Sequence, residues 1–87
     1  MLKIAVEFLG TLLLSFVIFS TGNYLAISVA LAIAIVLGGP ISGGAYNPAI
    51  AIALFYAKKL KASDLVPYII AEIAGAVAGY ELVKMVM

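Results

Sequence analysis

Twelve consecutive residues, Gly38-Gly39-Pro40-Ile41-Ser42-Gly43-Gly44-Ala45-Tyr46-Asn47-Pro48-Ala49, carry four glycines, two prolines and no charge, and they sit among apolar runs. A membrane-spanning helix cannot be written with that composition, because proline removes a backbone donor and glycine loosens the helix. Nor can the segment lie bare in lipid, where each unpaired N–H or C=O is costly. The chain must therefore cover this backbone with protein or turn it toward a wet path.

That lipid is the solvent follows from composition. At 67% hydrophobic, 10% charged and a mean hydropathy of +1.29, the chain lies far from soluble domains, which are about 45–50% apolar and about 25% charged. With no Cys and no His, thiolate and imidazole metal sites and the catalysis those groups support are excluded. No enzyme activity, metal or cofactor is expected. A net charge of +1 lacks the basic stripe that nucleic acid requires.

The apolar run from Ile4 to Ser20, broken only by Glu7, predicts a first membrane helix over residues 4–21. Glu7 and the lack of an Ala-x-Ala-like site count against a cleaved signal peptide. Thr21-Gly22-Asn23 reads as a turn, and a charge-free run from Tyr24 predicts a second helix over 24–38, ended by Gly38-Gly39-Pro40. A loop over 39–46 follows. Asn47 and Pro48 suit the cap and first position of a helix over 47–57, whose apolar part reaches roughly 15 Å, half the hydrocarbon thickness. Lys58, Lys59 and Lys61 return the chain to water or headgroups, and Ser63 or Asp64 caps a last helix over 64–86 containing Glu72 and Glu81. A short helix that starts at mid-membrane and ends at lysines requires the preceding loop to dip in from that same face.

Such a half-helix presents free N–H groups and the positive end of its dipole where the dielectric is low, which favours lone pairs and disfavours cations. The Asn47 oxygen can cap the helix and leave its NH2 to donate, while Gly43, Gly44, Ala45 and Tyr46 can present carbonyl acceptors. The bland alternative is a buried kink in a packed bundle, with Asn47 only capping.

Three segments in order resemble the aquaporin family, the major intrinsic proteins. They are Ala5-Val6-Glu7-Phe8-Leu9-Gly10-Thr11, Ile41-Ser42-Gly43-Gly44-Ala45-Tyr46-Asn47-Pro48-Ala49 with its Asn-Pro-Ala box, and Pro67-Tyr68-Ile69-Ile70-Ala71-Glu72-Ile73-Ala74-Gly75-Ala76. The resemblance is to the N-terminal half-repeat, residues 1–87 forming a single such unit. It implies an all-α integral membrane fold of three transmembrane helices and one re-entrant half-helix, completed by an inverted second copy. It further implies a passive channel for water or small neutral solutes such as glycerol. Asn47, Pro48 and Ala49 would meet their counterparts at mid-membrane, Gly43 to Tyr46 would supply pore carbonyls, and Glu7 and Glu72 would brace the loop. By the same match Ile27 lies at the constriction, with Leu31 one turn below. Ala45 stands where many relatives have His, and Ile50 follows the box where the family's second box usually continues with Arg, so a self-paired pore would be wider and more apolar.

Because only one repeat is present, the resemblance implies a partner: an inverted copy of the chain, arranged as four antiparallel pairs, or a separate second-half chain. Gly75-x-x-x-Gly79 and Gly10 permit close helix contact. Lys3, Lys58, Lys59 and Lys61 on one side against Lys84 on the other predict a cytoplasmic N-terminus, a bias that an inverted twin would violate unless the chain inserts both ways. Two competing readings are a small dual-topology proton-coupled multidrug transporter and a non-conducting accessory or remnant subunit of a full-length channel.

Overall fold

The computed structural model describes residues 1–87 as four helices and no strands: α1 (Leu2–Thr21), α2 (Tyr24–Ser42), α3 (Pro48–Tyr56) and α4 (Ala62–Val86). The turn between α1 and α2 is built from local chemistry. Gly22 takes the left-handed conformation at φ 58° and its N–H closes on the Ile18 carbonyl at 3.0 Å. Asn23 then caps α2, its side-chain oxygen accepting from the Ala26 N–H at 2.9 Å. With only two residues between them, α1 and α2 are antiparallel.

α2 does not stop at residue 38. It continues through Pro40 to Ser42, so the non-helical loop is residues 43–47 instead of 39–46. Proline removes one intrahelical donor, but ending the helix there would strip several more groups of their partners in a medium without water. The last turn is also pinned from outside. Ser42 Oγ donates to Glu7 Oε2 at 2.6 Å, the Tyr68 hydroxyl donates to the Ser42 carbonyl at 2.6 Å, and the Gly43 N–H closes on the Gly39 carbonyl at 2.8 Å.

α3 begins as a helix with a good cap should. Asn47 has extended backbone, its Oδ1 accepts from the Ala49 N–H at 2.8 Å, and Pro48 occupies the first helical position. Its 9 residues reach about 14 Å. The helix ends where Lys58 adopts φ 61° and the Lys59 N–H bonds the Leu54 carbonyl at 2.8 Å. α4 starts at Ala62, two residues before the expected boundary, and neither Ser63 nor Asp64 caps it: Lys61 holds the cap position without a side-chain bond. The Asp64 carboxylate instead accepts from Lys3 Nζ at 2.6 Å.

α4 runs parallel to α1. A methyl on Gly75 would lie 2.5 Å from the Phe8 carbonyl oxygen and one on Gly79 would lie 2.6 Å from that of Leu12, so both glycines are needed for backbone contact. Ser15 Oγ donates to the Ala76 carbonyl at 2.6 Å, and Phe19 meets Tyr80 edge-on with centroids 5.0 Å apart. The interior of the bundle is small or polar, with Ala30, Ala34, Ala51, Ala71, Thr11 and Ser15 buried, while Leu9, Val36, Leu37, Ile70 and Val77 are exposed. Large apolar side chains outside and small ones inside suit a lipid solvent, in which close helix packing holds the bundle together. Two helices, α1 and α2, are long and apolar enough to cross a membrane; α4 is longer and carries Asp64, Glu72, Glu81 and Lys84.

Candidate functional site

Glu7 organises the loop. It is fully buried on α1, and its two oxygens accept from Ser42 Oγ at 2.6 Å and from the Tyr46 N–H at 2.8 Å. The bond to Tyr46 matters because that residue sits at φ 52°, a left-handed conformation costing a non-glycine residue roughly 1–2 kcal/mol. Gly43 and Gly44 are also left-handed, at φ 90° and 66°, where glycine carries no such penalty.

The Tyr46 side chain supplies a second anchor. Its ring lies in a slot between Gly10 of α1 and Gly38 of α2, where a methyl on either glycine would collide with it. Its hydroxyl donates to the Ala34 carbonyl at 2.6 Å. Gly10 therefore makes room for a loop side chain more than for a neighbouring helix. This slot and its second glycine, Gly38, were not apparent in the sequence pattern. Neither were Ser42 and Tyr68, although Tyr68 lies one helical turn before Glu72 on the same face of α4.

With Ala45 and Tyr46 buried, the loop turns other groups outward: Gly43, Asn47 and Ala49 are exposed, and Gly44 and Pro48 are partly so. Since the Asn47 oxygen is committed to the cap, its NH2 is the free donor. On α2, Ile27 is half-buried and Leu31 exposed. One turn further along the same row, Ile35 lies beside Gly39 and Gly44, which brings this helical face to the loop and adds a residue not singled out from sequence.

Asn47 and Pro48 stand beside the midpoints of α1 and α4. Together with Tyr46, Thr11, Ser15 and Glu72 they line a cavity of about 420 Å³ in the groove between those two helices. On the other side of this midpoint α3 fills the groove, with Ala51 at zero exposure packed near Tyr68, Leu54, Leu65 and Ile4. Glu72, at 1% exposure, makes no hydrogen bond with either oxygen, in contrast to Glu7. No group of metal-ligating side chains is assembled here.

Comparison with known proteins identifies the family. The sequence model described as "Major intrinsic protein" matches residues 21–87. Glycerol uptake facilitator protein-like 6 of Lactiplantibacillus plantarum is 40% identical over 93 residues, covering 97% of this chain and 43% of that protein. Aquaporin-5 of Ovis aries is 36% identical over 87 residues, covering 84% of this chain and 32% of the relative. Aquaporin Z of Brucella melitensis is 42% identical over 48 residues, 55% of this chain and 21% of the relative. The chain thus spans less than half the length of these relatives. No solved structure matches it significantly.

Proposed function

Because the chain belongs to the major intrinsic protein family, we propose that it forms half the wall of a passive pore for water and small neutral solutes, completed by an inverted second half-repeat. The family and the two apolar helices make it an integral membrane protein. Its relatives are named as aquaporins and a glycerol uptake facilitator. The observation carrying the reading is the exposed NH2 of Asn47 at the start of a half-length helix, level with the middle of α1 and α4. A helix N-terminus at that depth donates to a passing oxygen and repels cations.

Pro48 and Ala49 start the half-helix, and the carbonyls of Gly43, Gly44, Ala45 and Tyr46 lead toward it as acceptors. Ile27, Leu31 and Ile35 form the facing apolar wall. Such a wall accommodates the carbon skeleton of a glycerol-like solute while the loop pairs with its hydroxyls.

The need for a second half is supported by the groove itself. α3 occupies one half of it, and the other half is open and lined partly by Thr11, Ser15 and Glu72. An inverted copy of the same chain is the partner proposed, its own α3 entering the open half and its Asn47 meeting Asn47. Four such pairs would make the tetrameric assembly the resemblance implies.

Stopped-flow shrinkage of proteoliposomes tests the pore. Osmotic water or glycerol flux above that of empty vesicles, with low activation energy and no proton current, is the expected result; flux equal to empty vesicles overturns it. Asn47→Asp is expected to admit cations, read as a conductance absent from the parent, because a negative charge then stands where the dipoles converge. Labelling cysteines introduced at each terminus from each membrane face tests inverted pairing: a single orientation for all chains excludes the self-paired form.

A further inference from the structure

We propose that Glu72 is a proton-binding site: its carboxyl keeps its own hydrogen and donates it to Glu7, so that the two buried carboxyls share one proton. An account of the surrounding donors carries the inference. Each hydroxyl near the pair is already committed: Ser42 Oγ to Glu7, Thr11 Oγ1 to the Glu7 carbonyl, Ser15 Oγ to Ala76, and the Tyr46 and Tyr68 hydroxyls to the carbonyls of Ala34 and Ser42. Both Glu72 oxygens are left without a partner at 1% exposure. The register of α1 against α4, in which Phe8 and Thr11 lie against Gly75, turns the Glu7 carboxyl, itself an acceptor, toward them.

Two acceptors that face each other with no donor between them are reconciled by one hydrogen. Each Glu7 oxygen already receives a donor, so Glu72 is the member that carries the hydrogen. No cation is near enough to take that role. α1 contributes Lys3, which is paired with Asp64 at 2.6 Å, and α4 contributes Tyr68 and Asp64 toward the same end. The loop contributes Tyr46, α2 has only Tyr24 at its far end, the titratable residues of α3 and its exit, Tyr56, Lys58, Lys59 and Lys61, lie at the end away from Glu72, and Tyr80, Glu81 and Lys84 lie at the opposite end of α4. The shared proton ties α4 to the residue that seats the loop, and its loss would set two negative charges face to face. The site is independent of whether the chain conducts.

Infrared difference spectroscopy of the full chain in lipid vesicles tests it. The expected result at neutral pH is a carbonyl stretch of a neutral carboxylic acid that shifts in deuterium oxide. It disappears in Glu72→Gln and persists in Glu81→Gln, whose side chain is exposed. Titrating the parent protein to alkaline pH should remove the same band, a readout that needs no variant to fold. Absence of the band at neutral pH overturns the proposal, as does its persistence in Glu72→Gln. Replacement of the band by a carboxylate signal that responds to exchanging sodium for potassium would also overturn it, in favour of a cation site.

Discussion

The two halves of the α1–α4 groove are made by the same pair of helices and have opposite characters. In one half α3, through Ala51, joins a packed cluster with Tyr68, Leu65 and Ile4; in the other, Thr11, Ser15, Asn47 and Glu72 border an open cavity. Apolar side chains close on one another where α3 lies, and polar side chains border a cavity where it does not. A membrane protein in which lipid-tail burial gives little net drive between helices depends on close contact and paired polar groups, and the open half is where the proposed second half-repeat would supply them.

That contrast can be broken most severely at the junction of the halves. Tyr46→Ala removes the ring from between Gly10 and Gly38 and releases the loop, and it should cost about 3–5 kcal/mol in a reversible detergent unfolding titration. Next comes the filled half: Ala51→Leu forces three heavy atoms into a site with zero exposure and should cost about 1–3 kcal/mol in the same titration. The smallest change is expected in the open half. Ala76→Leu, beside the cavity, should alter the unfolding free energy by no more than about 0.5 kcal/mol, yet reduce chain–chain cross-linking and solute flux. If Ala76→Leu destabilises the chain as much as Ala51→Leu, the two halves are equally packed and the open one awaits no partner.

Helix identity was legible because apolar run length and local caps speak for themselves. Gly22 and Asn23 mark the first turn, and Asn47-Pro48 marks the start of α3, through interactions spanning at most four residues. The end of α2 was misread because Pro40 is a strong local stop, while the bonds that hold the last turn come from Glu7 and Tyr68, 35 and 26 residues away from Ser42. The cap of α4 was misread for the same kind of reason, its Asp64 being drawn to Lys3 at the other end of the sequence. Within the candidate site, the presence of Glu7 and Glu72 in apolar helices flagged them as inward-facing. The sequence carried no sign that one would hold two donors and the other none. That asymmetry depends on which hydroxyls the fold brings near, and it is set only when all three long helices are packed.

The ring of Tyr46 between Gly10 and Gly38 has a consequence for redesign. Loop and helix divide a fixed amount of space, so bulk can be traded across the boundary: a smaller residue at 46 would leave room for a methyl at 10, whereas one at 38 would still meet Val6, and neither exchange at 46 and 10 alone would be tolerated as well as both together. Two positions distant in the chain thus behave as one interchangeable volume, and a library that varies them jointly will find solutions that single replacements miss.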